Sequence, residues 1–166
     1  MSQVFVAVRA LLYAAGFLTL WGWLALHARH LDIERGLYLP FWTGFIGVGA
    51  FLVGALVVLS CVFSFVVEGK GTPAPFDPPR RFVVSGPYRF VRNPMYLGAF
   101  LLLSGFGLFA RSPSVLCLVA LAALLAHLFV VLVEEPGLAR RFGESYLAYR
   151  RSTNRWIARF RRSGQA

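Results

Sequence analysis

Charged residues are scarce in this chain, and their scarcity excludes an ordinary soluble domain. Asp, Glu, Lys and Arg make up 14% of the 166 residues, whereas soluble domains contain about 25%. Apolar residues reach 58%, and the mean hydropathy is +0.65. This composition predicts a small polytopic membrane protein.

Cysteine is almost absent as well. Cys61 and Cys117 both lie inside apolar runs, where a free thiol behaves as a small hydrophobic side chain. The sequence has neither a disulfide framework nor the ligand spacing of a zinc site, and we expect no metal.

Acidic residues are the scarcest charged class. Seven of them stand against 17 basic residues, which gives a net charge of +10. The arginines cluster beside apolar runs and not along one solvated face, so we predict no nucleic-acid partner. The pattern instead favours cytoplasmic loops that contact anionic membrane lipids.

Four apolar runs predict an all-α integral membrane fold in a single domain, residues 1–166. The spans cover about residues 4–28, 41–67, 94–110 and 114–133; the third is short, at about 25 Å of helix. We expect an exposed loop at 27–40 and a cytoplasmic loop at 68–93. The third and fourth helices should form an antiparallel hairpin, and an interfacial amphipathic helix with a basic tail should follow at 134–166.

The distribution of basic residues predicts the orientation. The loop 68–93 carries five and the region after Val133 carries eight, so 13 lie on that side against three in the other connections. Positive residues favour the cytoplasmic side. With four spans, both termini are therefore expected in the cytoplasm.

Polar residues collect at the cytoplasmic ends of the predicted hairpin. The group consists of Arg89, Arg92, Asn93, Tyr96, His127, Glu134 and Glu135. His127 precedes Glu134 by two helical turns, on nearly the same face. Two interpretations stay open: an ion-pair cluster that closes the end of the bundle, or a ligand site.

Glycines in the third helix add a second feature. Gly98 and Gly105 share one face, and Gly107 follows, so the helix offers a strip without side chains. A flat ligand or the backbone of the fourth helix could lie on this strip.

At these residues the chain resembles the isoprenylcysteine carboxyl methyltransferase and phospholipid N-methyltransferase superfamily, in particular its small bacterial branch. The resemblance covers about residues 68–157. It rests on these segments: Gly71-Thr72-Pro73, Gly86-Pro87-Tyr88-Arg89, Arg92-Asn93-Pro94-Met95-Tyr96-Leu97-Gly98, Glu134-Glu135-Pro136-Gly137-Leu138 and Phe142-Gly143-Glu144-Ser145-Tyr146-Leu147-Ala148-Tyr149-Arg150.

The resemblance implies an integral-membrane methyltransferase that uses S-adenosylmethionine, located in a bacterial inner membrane. The cofactor pocket it implies is lined by Arg92, Asn93, Pro94, Tyr96, Gly98, Gly105, Gly107, Glu134 and Glu135. For binding and catalysis we expect Arg89 or Arg92 to hold the donor carboxylate, and Glu134 or Glu135 to contact its ribose or amino group. His127 would form the pocket wall. Tyr146 or Trp156 would attract the sulfonium through an aromatic face.

Two positions depart from the family pattern. Asn93 stands where eukaryotic members carry His, so it can form a hydrogen bond but cannot titrate near neutral pH. Ser152-Thr153-Asn154-Arg155-Trp156 replaces Val-Pro-Arg-Trp and lacks its proline.

The acceptor expected from the resemblance is a lipophilic substrate that enters from the bilayer, either a prenylated carboxylate or thiol or a phospholipid amine. Two other functions are alternatives: an NADPH-dependent membrane reductase of the sterol-reductase type, and a non-catalytic membrane partner protein. Neither the acceptor nor the oligomeric state follows from the sequence.

Overall fold

The computed structural model describes residues 3–64, residue 67 and residues 84–158. The Gly71-Thr72-Pro73 motif, most of the predicted cytoplasmic loop 68–93 and the end of the basic tail lie outside the described residues.

The described chain is helical, and no β-strand occurs within it. The elements are α1 (Gln3–Arg35), α2 (Thr43–Ser64), a short 3-10 helix (Gly86–Arg89), α3 (Pro94–Phe109), α4 (Pro113–Phe129), a π-helical turn (Val130–Glu134), α5 (Glu135–Phe142) and α6 (Glu144–Ser152). Proline occupies the start of α3 and of α4, where its missing N–H costs no hydrogen bond.

Within the described residues, two helices have the length and composition of membrane spans: Thr43–Ser64, and the continuous run Pro113–Phe142. α3 is shorter, at about 24 Å. Large apolar side chains on α2 point outward, among them Phe45 at 73% and Phe63 at 69% exposure. Such a surface is typical of a helix that faces lipid. The structure therefore supports an all-helical membrane-associated fold, while the four-span arrangement stays a prediction.

α1 continues beyond the predicted start of the first loop. The exposed loop expected at 27–40 is wrong for its first part, because the helix reaches Arg35 and Asp32 is 1% exposed. The Asp32 carboxylate accepts hydrogen bonds from the hydroxyls of Ser112 and Ser114 and from the Ser114 N–H, the last at 3.1 Å. It thereby caps the N-terminus of α4 from another helix.

α2 and α3 pack backbone to backbone. A Cβ built on Gly54 would lie 2.5 Å from the amide nitrogen of Leu102 and 2.7 Å from the carbonyl oxygen of Gly98. Gly47 approaches Gly105 in the same way. The contact needs glycine on both helices, since any side chain would separate them.

A tight turn joins α3 to α4, while the antiparallel hairpin of these two helices stays a prediction. Arg111 has φ 56° in this turn. Its Nε donates to the carbonyl of Leu39 at 2.7 Å, and its carbonyl accepts from the Leu39 N–H at 3.0 Å. These bonds hold the α1–α2 connection against the turn.

The helical run that begins with α4 does not end at Val133, where the sequence predicted the end of the fourth span. A π-helical turn joins α4 directly to α5, and the Glu135 N–H donates to the carbonyl of Val130. Pro136 has no N–H to donate to a carbonyl four residues earlier, and the wider turn accommodates this. Glu134 and Glu135 consequently lie inside one helical run. The predicted interfacial segment divides into α5 and α6 at Gly143, which has φ 54°.

Candidate active site

The carboxylate of Glu135 is the centre of a buried charge cluster. Arg92 donates from Nη2 to Oε1 at 2.7 Å. Arg155 donates from Nε to Oε1 at 2.7 Å and from Nη2 to Oε2 at 2.9 Å. The side chain of Glu135 is 7% exposed and that of Arg92 is 10% exposed. Two guanidinium groups therefore neutralise one carboxylate away from water.

Arg92 also ties the C-terminal segment to the start of α3. Its Nη1 donates to the carbonyls of Thr153 at 2.7 Å and Arg150 at 3.1 Å. Its backbone N–H donates to the backbone carbonyl of Asn154 at 2.8 Å. The Arg92 Nε is buried and has no hydrogen-bond partner among the described residues. It is the one nitrogen of this guanidinium that no described group satisfies.

Glu134 points to a different neighbour from Glu135. Its Oε2 accepts a hydrogen bond from the Tyr96 hydroxyl at 3.1 Å, and no ion pair joins it to a basic residue among the described residues. Successive residues of a helix project about 100° apart. The two adjacent carboxylates thus have different partners. Glu135 binds the two arginines, and Glu134 faces the aromatic residues of the cluster, beginning with Tyr96.

His127 and Trp156 complete that aromatic side. The indole Nε1 of Trp156 donates to Nδ1 of His127 at 3.0 Å. The Trp156 ring also meets the ring of Tyr96 edge to face, with centroids 6.3 Å apart. Tyr96, Glu134, His127 and Trp156, which we call the aromatic–carboxylate patch, form one continuous surface, and His127 is exposed on it.

The pKa shifts of residues in and after α6 are those of side chains held in fixed positions. The hydrogen bonds to Glu135 raise the pKa of Arg155 above its usual range. Burial raises the pKa of Tyr146 to about 12, and burial likewise raises the pKa of Tyr149. The Tyr149 hydroxyl donates to the carbonyl of Tyr88 at 2.5 Å, which anchors α6 on the 3-10 helix.

Several predicted site residues lie apart from the cluster. Arg89 is exposed and stacks 5.0 Å from the ring of Phe90, so the arginine pair opposite the glutamates is Arg92 with Arg155 and not Arg92 with Arg89. Tyr146 is 1% exposed, which leaves no aromatic face for a ligand cation.

The glycine strip expected to receive a ligand is covered by α2. Gly98 and Gly105 contact the backbone and side chains of α2, and Gly107 contacts Val115 and Leu116 of α4. Packing against α4, the alternative weighed from the sequence, therefore holds for Gly107 alone. Gly98 and Gly105 pack against α2 instead, where they meet Gly54 and Gly47.

The remaining predicted residues do lie at the cluster. Asn93 is buried, and its Nδ2 donates to the carbonyl of Arg155 at 3.3 Å. Pro94 is buried at the first position of α3. Arg155, which the sequence reasoning did not assign to the site, is the residue missed. Its signal was the retained Arg-Trp pair within the otherwise divergent segment 152–156.

A comparison with protein-family models matches residues 42–145 to phospholipid methyltransferase. The chain belongs to the phospholipid methyltransferase family. The match covers more than half of the chain and includes α2, α3, α4 and both glutamates. A comparison with curated proteins gave no match.

Membership of the phospholipid methyltransferase family supports a membrane methyltransferase and confirms the resemblance inferred from the motifs. Arg155 and Trp156 lie beyond the matched range. They nevertheless contact the matched residues Glu135 and His127, so the site combines the family region with the segment that follows it.

Proposed function

We propose that this chain transfers a methyl group from S-adenosylmethionine to a lipophilic acceptor that enters from the bilayer. The observation that carries the proposal is the division between the two carboxylates. Glu135 is saturated by Arg92 and Arg155, while Glu134 has the Tyr96 hydroxyl as its neighbour. Glu134 is thus the carboxylate with capacity left for a ligand.

The residues present fit the chemical groups of this donor. A carboxylate such as Glu134 suits an ammonium group or ribose hydroxyls. The buried Arg92 Nε, which has no hydrogen-bond partner among the described residues, is a charged donor suited to a ligand carboxylate. The rings of Tyr96 and Trp156 suit a sulfonium, by cation–π attraction of about 1 kcal/mol. Once bound, the donor supplies a methyl group on a positively charged sulfur that leaves as a neutral thioether.

The work left to the protein is mainly orientation. Fixing the reacting groups can contribute about 7–11 kcal/mol of the barrier. Arg92, Arg155 and Glu135 hold α3, α5 and the C-terminal segment in one arrangement, and so fix Tyr96, Glu134 and Trp156 relative to one another. Glu135, expected from the sequence to be catalytic, acts in this proposal as a positioning residue, and Arg92 combines that role with the proposed contact to the donor carboxylate.

The acceptor is proposed to approach the exposed side of the aromatic–carboxylate patch, where His127 lies. A phospholipid amine would lose a proton on methylation, and Glu134 is the carboxylate that we propose to accept it. A prenylated carboxylate or thiolate would need no such base, so both acceptor classes stay in the proposal. The family match gives no support to the reductase or the non-catalytic alternative.

The orientation proposed is that predicted by charge, with this site and both termini in the cytoplasm of a bacterial cell and the spans in the inner membrane. Arg140, Arg141, Arg150 and Arg151, at the same end of the molecule as Glu135, support it, because basic residues near spans favour that side.

A transfer assay tests the proposal. Purified protein in detergent is incubated with radiolabelled methyl donor and a bacterial lipid extract, and labelled lipids are separated and identified. We expect label in one lipid class, lost in Glu134→Gln and retained in Glu144→Gln, whose exposed carboxylate pairs with Arg151. Folded wild-type protein that labels no lipid, or equal labelling by both variants, would overturn the proposal.

A further inference from the structure

A recess lies at the end of α3 opposite to the candidate active site. Arg92 and Glu135 lie near the first residue of α3, whereas this recess adjoins its last residue, about 24 Å away along the helix. It has a volume of about 210 Å³. Its lining consists of Phe41, Gly44, Phe45, Val48, Phe109 and Arg111. We call it the Gly44 groove.

Gly44 creates the groove because it has no side chain between large apolar neighbours. A Cβ built on Gly44 would meet no atom within 4 Å, unlike Gly47 one turn later, whose Cβ would strike the α3 backbone. Gly44 is therefore not required for helix packing. Its effect is to leave an open channel beside Phe41 and Phe45.

Arg111 supplies one charge to this otherwise apolar lining. Its backbone and Nε are fixed by the two bonds to Leu39, and its guanidinium lies 5.8 Å from the ring of Tyr38. It forms no ion pair with the described acidic residues. Asp32, an acidic residue in that part of the fold, accepts hydrogen bonds from Ser112 and Ser114. A cation without an anionic partner on the described chain thus borders an apolar channel.

The surroundings of the groove are those of a membrane interface. Phe41 is 71% exposed, Trp42 60% and Tyr38 55%. Exposed aromatic residues at helix ends are typical of the level of lipid headgroups. An amphipathic ligand at the level of the headgroups would contact Arg111 through its polar group and the Gly44 groove through its apolar group.

We propose that the Gly44 groove binds one acyl chain of an anionic phospholipid whose phosphate contacts Arg111. The charge complementarity selects an anionic lipid. The volume is below the roughly 300–1,000 Å³ of a pocket for a drug-sized ligand, and it accommodates part of a single chain. The site is separate from the aromatic–carboxylate patch and goes beyond methyl transfer.

Native mass spectrometry of the full-length protein in detergent tests this site. Phosphatidylglycerol and phosphatidylcholine with identical acyl chains are titrated separately, and bound lipids are counted. We expect tighter binding of phosphatidylglycerol by wild type, by about five-fold for one arginine. Arg111→Gln should remove that difference at this site. Gly44→Leu fills the groove and should remove one bound lipid of either type.

Gly49→Leu is the matched control. It lies on the same helix, and a Cβ there also meets no atom within 4 Å, but it does not line the groove. Lipids held by the basic cytoplasmic regions should be the same in all variants. Should Gly44→Leu and Gly49→Leu retain the same number of lipids, or should wild type and Arg111→Gln show the same ratio of the two lipids, the proposal fails.

Discussion

Arg155 holds Glu135 with a two-pronged contact, Nε to Oε1 at 2.7 Å and Nη2 to Oε2 at 2.9 Å. The two residues are 20 apart in sequence. Because the fork of a guanidinium matches a carboxylate, the contact fixes the direction as well as the distance. The segment after α6 is thereby attached to the helix that carries both glutamates, and Trp156 is brought to His127.

Removal of the carboxylate in Glu135→Ala should destabilise the protein strongly. Arg92 and Arg155 would be left without their shared partner, and the loss of one member of a buried ion pair costs about 3–5 kcal/mol. Thermal unfolding in detergent, followed by circular dichroism, measures the effect.

Glu144→Ala is the control for that change, since its bond to Arg151 lies between side chains that are 86% and 72% exposed. An exposed pair contributes about 0–1 kcal/mol. Equal losses in the two variants would show that the Glu135 cluster is not buried in the folded protein.

Two glycines on α2 should respond oppositely to alanine. In Gly54→Ala the new Cβ meets the α3 backbone at 2.5 Å, and overpacking of this kind costs about 1–3 kcal/mol. Gly49→Ala meets nothing and should stabilise the helix by about 0.5–1 kcal/mol. Unfolding midpoints measure both, and a stabilising Gly54→Ala would refute the α2–α3 contact.

Tyr96→Phe should impair methyl transfer without unfolding the protein. The change deletes the hydroxyl that bonds Glu134 and keeps the ring beside Trp156. A hydrogen bond to a charged group contributes about 1.5–3 kcal/mol, so kcat/KM should fall about ten-fold or more. Tyr38→Phe, at the other end of the fold, is the control. An unchanged kcat/KM in Tyr96→Phe would mean that this bond does not position Glu134.

Asp32→Ala should loosen the start of α4. Ser112, Ser114 and the Ser114 N–H would lose their acceptor, and an unsatisfied buried polar group costs about 1–3 kcal/mol. Hydrogen exchange of the Ser114 amide should accelerate and the unfolding temperature should fall. Glu34→Ala, whose partner His30 is exposed, should change neither; a neutral Asp32→Ala would contradict the cap.

The hydropathy pattern was sufficient for the helices but not for their ends. α2 and α3 follow directly from uncharged apolar runs. Asp32 lies among charged residues whose pattern predicts a loop. Its capping of α4 could not be predicted, because a contact with a distant helix does not affect the local periodicity of the sequence. The sequence also could not predict that Glu134 and Glu135 have different partners, because the π-helical turn before Pro136 changes the directions in which the following side chains project.

The glycines show a second limit of the sequence. A Gly98–Gly105 spacing indicates a close approach but not which object approaches, and the structure supplies Gly47 and Gly54 as the partners. For a similar reason, the sequence predicted Arg89 opposite the glutamates, whereas Arg155 occupies that position in the structure. Both are arginines near the membrane boundary, and only the path of the segment after α6 decides which one reaches Glu135.

The most direct test of the account is calorimetric binding of S-adenosylmethionine and S-adenosylhomocysteine to wild type, Glu134→Gln and Glu144→Gln, with NADPH as a further ligand. Wild type and Glu144→Gln are expected to bind both the methyl donor and its demethylated product, and not NADPH. Glu134→Gln is expected to bind the donor and the product at least ten-fold more weakly while it keeps its unfolding temperature. Unchanged binding in Glu134→Gln would contradict the assignment of Glu134 as the ligand carboxylate, and binding of NADPH alone would contradict the proposed function.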